Sequence, residues 1–190
     1  MRITSGEYRG RTLEAPATGD VRPTQDRVRE ALFSMIQSEI AGSDFLDLFA
    51  GTGSAGIEAL SRGAASATFV EVSARHLKSL EANIAKICVG RRTTVLRFDV
   101  YRWIERYSGG GFSIVFADPP YALGEEKGYA SVLKTLSGRG VVREGGLFIA
   151  EMTAVQKAEE TPGWELVRDR CYGKTRLCIW RRAAAGAQNA

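Results

Sequence analysis

Residues 116 to 122, Phe-Ala-Asp-Pro-Pro-Tyr-Ala, put a carboxylate, two prolines and an aromatic ring at the end of the apolar run Phe112–Ala117. That is an unusual way to leave a buried strand, and the residue types suit work on an amine. The exocyclic NH2 of a nucleobase is a poor nucleophile because its lone pair is delocalised into the ring. Two acceptors remedy this: the Asp118 carboxylate and the Pro119 carbonyl can each take one amine hydrogen, directing the lone pair at an electrophilic carbon for in-line displacement. Pro119 and Pro120 hold the backbone and bring no competing N–H, and Tyr121 offers a face on which a base could stack. The plainer reading is a rigid surface turn with an incidental aromatic.

A second constellation decides between the two. Asp47-Leu48-Phe49-Ala50-Gly51-Thr52-Gly53 runs on to Gly56, giving Gly51-x-Gly53-x-x-Gly56 between an apolar strand and a helix. Glycines there let a ligand lie on the backbone. Glu71 ends the next strand, twenty residues after Gly51, where a carboxylate can accept from both hydroxyls of a ribose. Asp99 follows the third strand and is placed either to meet an adenine edge or to cap a helix. The pattern describes an adenosine ligand, and both NAD and S-adenosylmethionine fit. Asp47 favours the sulfonium cofactor, whose ammonium group needs a carboxylate near the turn.

The elements that must carry these residues are legible from periodicity. Residues 1 to 15 read as a short hairpin or extended arm, and Val28, Ala31, Leu32, Met35 and Ile36 mark a helix that Thr24 or Asp26 can cap. From residue 44 short apolar strands alternate with amphipathic helices: strands at 44–49, 67–71, 93–97 and 112–117, helices at 54–62, 74–87 and 100–106. A helix near 127–137 and a strand at 146–151 continue the series. This is repeated βαβ, hence a mostly parallel α/β sheet with helices on both faces. Trp164–Cys171 and Arg176–Arg181 are joined too tightly for a crossover and are expected as an antiparallel hairpin. One domain is expected over 1–182, with a basic extension at 1–40, a Rossmann-like core at 41–182 and a disordered tail at 183–190.

Composition narrows the chemistry. Cys88, Cys171, Cys178 and the lone His76 are too few for a zinc site or a disulfide framework, so no metal is expected and none of the four is given a role. The cysteines read as small core residues and His76 as a solvated helix residue. No apolar run is long enough to span a bilayer, so a soluble, cytoplasmic protein is expected. The net charge of +4 is mild, but Arg2, Arg9, Arg11, Arg22, Arg27 and Arg29 fall within the first thirty residues. A nucleic acid would meet that segment first.

With these residues in hand the chain resembles the class I S-adenosylmethionine-dependent methyltransferases, and more closely the bacterial RsmD family, which methylates the N2 amine of a guanine in 16S ribosomal RNA. The resemblance runs from about Arg2 to Arg182. It rests on Ser5-Gly6 through Gly10-Arg11, on the block from Arg22-Pro23-Thr24 through Arg27-Val28-Arg29-Glu30-Ala31-Leu32-Phe33, on the glycine turn, on Glu58-Ala59-Leu60-Ser61-Arg62-Gly63-Ala64, on Asp118 to Tyr121 and on Tyr172-Gly173-x-Thr175. It implies a seven-stranded class I fold with an antiparallel C-terminal hairpin. It also implies Asp47, Phe49, Gly51 and Gly53 near the methionine part of the cofactor, Glu71 on the ribose, Asp99 by adenine, and Asp118, Pro119, Pro120 and Tyr121 at the target base. Arg22 and Thr24 would close over the cofactor, and Arg9, Arg11, Arg27 and Arg29 would contact RNA. The implied partner is 16S ribosomal RNA, within the 30S subunit or an assembly intermediate, met by a monomer. The guanine would have to be extruded or unpaired to reach Asp118. Alternatives are an adenine-N6 or other amino methyltransferase acting on DNA or another RNA, a non-catalytic assembly factor that binds the cofactor and RNA, and, more distantly, a nicotinamide oxidoreductase. Ser54-Ala55, Ser73 and Lys174 depart from the family's usual residues.

Overall fold

The computed structural model describes residues 1–14, 23–87, 89–119 and 129–184. The chain divides into two compact units, Met1–Val100 and Tyr101–Ala190. Within the first, α1 (Pro23–Met35) and the single turn α2 (Gln37–Ile40) precede β1 (Asp44–Leu48), α3 (Ser54–Ser61), β2 (Ser66–Glu71), α4 (Ala74–Ile87), a 3-10 turn (Gly90–Arg92) and β3 (Thr93–Arg97). Helix α5 (Val100–Arg106) leads into the second, which holds β4 (Phe112–Ala117), α6 (Tyr129–Gly138), β5 (Val142–Thr153), β6 (Trp164–Tyr172) and β7 (Thr175–Arg182).

The seven strands follow the order β3-β2-β1 in the first unit and β4-β5-β7-β6 in the second. β1 with β2, β2 with β3 and β4 with β5 are parallel; β5 with β7 and β6 with β7 are antiparallel. The parallel strands are sealed by large apolar side chains. Phe45, Leu46 and Leu48 of β1, Phe69 and Val70 of β2, and Ile114 and Val115 of β4 are all essentially inaccessible, as continuous apolar strands must be when both faces are covered. Tyr172 pairs with Thr175, leaving Gly173-Lys174 as a two-residue turn with Gly173 at φ 61°, the left-handed geometry a tight hairpin needs.

One boundary differs clearly from the periodicity. Strand β5 starts at Val142, not 146, because the ladder with β4 shifts register between Phe112 and Ile114 opposite Gly145-Gly146. Gly145 has φ 72°, and a Cβ on Gly146 would stand 2.9 Å from the Arg143 oxygen and 3.0 Å from that of Ser113. Apolar counting starts after this bulge and misses the strand before it. The N-terminal arm packs within the first unit. Arg2 and Thr12 form an antiparallel bridge, Ile3 and Leu13 are buried, and the turn between them lies on α3. Glu58, wholly buried on α3, receives the Thr4 N–H at 2.9 Å, the Thr4 hydroxyl at 2.7 Å, the Ser5 N–H at 3.1 Å and Arg62 Nε at 2.8 Å. A carboxylate without solvent requires such donors, and four of them lock the arm in place.

Candidate functional site

The glycine turn stands between β1 and α3 and is built from unusual backbone. Phe49 has φ 62°, a conformation costly for any residue with a Cβ, and Gly51 and Gly53 follow at φ 54° and 80°. The glycines do different work. A Cβ on Gly53 would lie 2.2 Å from Leu80 Cδ1, and one on Gly56 would lie 2.3 Å from the Phe69 ring, so both let α3 close against its neighbours. A Cβ on Gly51 would meet only the Phe49 carbonyl oxygen, at 4.0 Å. Packing therefore does not require glycine at position 51; open space above bare backbone is what a ligand cradle needs.

Three polar side chains hold this turn. Asp47, 2% exposed on β1, accepts the Gly56 N–H at 3.0 Å and so pins the start of α3. Its carboxylate is engaged inside the fold instead of lying open beside the turn. Glu71, at the end of β2, accepts the Gly51 N–H at 2.8 Å through one oxygen and the Ser73 N–H at 2.8 Å through the other. Each carboxylate oxygen retains a second lone pair, enough to take a ribose hydroxyl. Asn83, wholly buried on α4, donates to the Thr52 carbonyl at 3.1 Å and to the Glu14 carbonyl at 3.2 Å, and accepts the Glu14 N–H at 2.7 Å. It therefore joins the glycine turn to the N-terminal arm. Asp99 is exposed immediately before α5, and Phe98 donates its N–H to the Glu71 carbonyl at 3.2 Å.

The remaining candidates divide. Arg9, Arg11 and Arg27 are exposed. Arg29 is 7% exposed, and its guanidinium donates to the Arg2 carbonyl at 2.6 Å and to Asp26 at 3.0 Å, with Glu58 3.6 Å away. A buried guanidinium committed to two internal acceptors and an ion pair with Glu58 supports the arm and does not present itself to RNA, so Arg29 leaves the substrate set. Arg22, Pro120 and Tyr121 lie outside the described residues, as do the Thr24 side chain, Cys88 and 185–190. Cys178 is buried, its thiol pushed up to about 12 chiefly by burial. Cys171 is exposed, contrary to its apolar setting in the sequence, because it faces outward on the edge strand β6.

In the second unit Asp118 and Pro119 leave β4 where it lies beside β5. Ala117 pairs with Ala150, so Asp118 and Glu151 are the next residues along two adjacent parallel strands. Burial pushes the proton affinity of both carboxyls well above the ordinary carboxylate range, and the charge of Asp118 pushes Glu151 further. Asp118 is exposed by area, so solvent screens part of that push. Tyr129 of α6 donates its hydroxyl to the Glu151 carbonyl at 3.2 Å, and burial and then Asp118 raise its phenol as well. Neighbouring carboxylates that resist double ionisation favour a ligand bringing N–H donors.

Sequence reading assigned no site role to four residues. Asn83 sits in ordinary helical text and Glu58 in the block Glu58 to Ala64 already quoted, and only complete burial marks what either does. His76 of α4 brings Nδ1 to 3.6 Å from Glu71 Oε2, and Glu151 closes an apolar run much as Asp118 nearly does. The last of these could have been noticed as a second acidic residue ending a buried strand. Among the described residues no group of His, Cys, Asp or Glu could hold a metal ion, and no helix is long and apolar enough to cross a membrane.

Comparison with known proteins places this geometry in context. Residues 1–181 match the family described as "Conserved hypothetical protein 95". The chain is 33% identical over 193 residues to ribosomal RNA small subunit methyltransferase D of Escherichia coli K12, covering 100% of this chain and 94% of that one. It is 31% identical over 176 residues to the protein of the same name from Haemophilus influenzae, covering 91% and 89%. Among solved structures, the E. coli methyltransferase yhhF superposes with a TM-score of 0.85 at 30% identity, over 97% of this chain and 99% of that one. The fold is thus the Rossmann-like class I methyltransferase architecture, mostly parallel with an antiparallel C-terminal hairpin.

Proposed function

The chain belongs to the RsmD family of methyltransferases, and from that premise we propose that it uses S-adenosylmethionine to methylate the exocyclic N2 amine of a guanine in 16S ribosomal RNA. The carrying observation is the division of labour among the glycines: Gly53 and Gly56 are filled by neighbours, while Gly51 faces open space beside a carboxylate that already orders the turn.

The residues present fit an adenosine cofactor. Gly51 and Gly53 would take its methionine end, and Glu71 its ribose hydroxyls. Val72, apolar and 59% exposed directly after Glu71, supplies a surface for a purine ring, and Asp99 an acceptor for the adenine amine. When bound, S-adenosylmethionine supplies a methyl group made electrophilic by its sulfonium. The remaining work belongs to the chain. Asp118 and the Pro119 carbonyl accept the two amine hydrogens, which localises the nitrogen lone pair for attack. The N–C bond would form as the methyl–sulfur bond breaks, leaving a neutral thioether, and Asp118, with its raised proton affinity, would accept the extra proton then on nitrogen. Asp47 keeps the turn and α3 in register throughout. Pro120 and Tyr121, with Arg22 and Thr24, complete the proposed base and cofactor contacts, and Arg9, Arg11 and Arg27 the RNA contacts. The substrate would be met within the 30S subunit or its precursor, in the cytoplasm, by a monomer.

The test uses 30S particles from a strain lacking this protein and methyl-labelled S-adenosylmethionine. Label is expected on one guanine of the small-subunit RNA. Asp118→Ala should lower the transfer rate by at least about 100-fold while the cofactor dissociation constant stays within about twofold. Label on an adenine, or none in 16S RNA, would overturn the assignment; full activity in Asp118→Ala would overturn the mechanism.

A further inference from the structure

We propose that the turn at residues 7–11 and the 3-10 turn Gly90–Arg92 together form one docking face for the RNA phosphate backbone. The inference rests on the reading above that the substrate is an RNA, and extends its contact surface to Tyr8, Arg91 and Arg92, to which sequence reading assigned no RNA contact.

The two segments are eighty residues apart and meet at Tyr8. Arg92 Nη2 donates to the Tyr8 hydroxyl at 2.9 Å, and the Arg11 guanidinium stands over the Tyr8 ring, 5.2 Å from its centroid. Arg9, Arg11 and Arg91 are exposed, and Arg92 is half-buried. The carboxylate nearest Arg92 is that of Glu7, 3.8 Å away and 65% exposed, a loose and screened pairing. Two guanidiniums against one tyrosine, with Arg9 and Arg91 exposed on the same two turns, raise the local positive potential in the free protein. Phosphates that meet this face relieve it and release their counterions.

Placement of the turn is rigid. Tyr8 donates its N–H to Ser61 Oγ at 3.0 Å and Glu7 donates its N–H to the Ser61 carbonyl at 2.8 Å. At Gly6 a Cβ would stand 1.9 Å from that same carbonyl oxygen, so the arm lies flush on the end of α3. Tyr8 in turn orients two guanidiniums before any ligand arrives, which reduces the side-chain entropy lost on binding. Planar forks steadied by an aromatic ring suit phosphate oxygens better than they suit scattered carboxylates.

The experiment compares the full chain with Arg91→Glu and with Arg91→Glu/Arg92→Glu. Three quantities are read: filter binding of a 16S ribosomal RNA transcript across a salt series, methyl transfer to 30S particles, and cofactor binding by calorimetry. The double variant is expected to bind RNA at least about 10-fold more weakly near 0.1 M salt, with a log–log salt slope shallower by about 2. Its KM for particles should rise while kcat and the cofactor dissociation constant hold within about twofold. Unchanged RNA affinity and slope would overturn the docking face. Should the double variant melt early because Tyr8 loses its partner, Arg91→Glu alone decides: a slope shallower by about 1 supports the face, and no change overturns it. If the wild-type protein methylates no 16S guanine, the functional reading fails, while the salt slopes still decide the docking face.

Discussion

The turn after β1 and the end of β4 differ in how their charge is held. Around the glycine turn every carboxylate has internal donors: Asp47 takes the Gly56 N–H, and Glu71 takes those of Gly51 and Ser73. Beyond β4, burial raises the proton affinity of both Asp118 and Glu151, and the charge of Asp118 raises that of Glu151 further. One region is finished before a ligand arrives; the other is left electrostatically unsettled. A binding surface gains from fixed geometry, because ordering completed in the fold is not lost again on binding. A group that must accept a proton gains from an affinity near neutrality.

Substitutions can break that contrast, and the largest stability effect is expected at the turn. Gly53→Ala puts a Cβ 2.2 Å from Leu80 at a left-handed φ, and should destabilise the chain by about 2–4 kcal/mol in chemical denaturation. Gly51→Ala has room and should lose only about 1 kcal/mol, yet weaken the cofactor by about 10-fold or more. Equal stability losses at the two positions would refute the division of roles. Asn83→Ala removes the partner of the Glu14 N–H and leaves the Thr52 carbonyl buried without one, at a cost of about 2 kcal/mol. Hydrogen exchange should then quicken in the turn and the arm together, and exchange confined to one of them would deny the link.

The smallest effect is a pH dependence. Glu151 titrates near 4.5 when exposed and is pushed up to about 8 in the fold, so between these values the native state holds a proton the unfolded state has lost. Stability contributed by the group therefore falls as pH rises through that window. Glu151→Gln cannot titrate, and its melting temperature relative to wild type should climb between pH 5 and pH 9. A constant difference would mean that Glu151 is not strained by its surroundings.

Much of the architecture is legible because it is local. The alternation of apolar strands with helices, the capping and glycine signals, and the Gly173-Lys174 hairpin all follow from neighbours in sequence. Where distant segments meet, pattern reading fails. Arg27 and Arg29 look alike in the sequence, and only packing makes one exposed and the other an internal clamp between Asp26, Glu58 and the Arg2 carbonyl. His76, expected as a solvated helix residue, is one: its side chain is 40% exposed, with Glu71 3.6 Å away.

By itself the sequence determined the element series, the glycine turn and the acidic residues at strand ends, because backbone conformation and periodic burial are written within a few residues. Tertiary structure alone decided which charges are engaged and which are open. That depends on partners supplied from far along the chain, as Thr4 is to Glu58, Glu14 to Asn83 and Tyr8 to Arg92. Desolvation fixes their value only after the chain has closed around them.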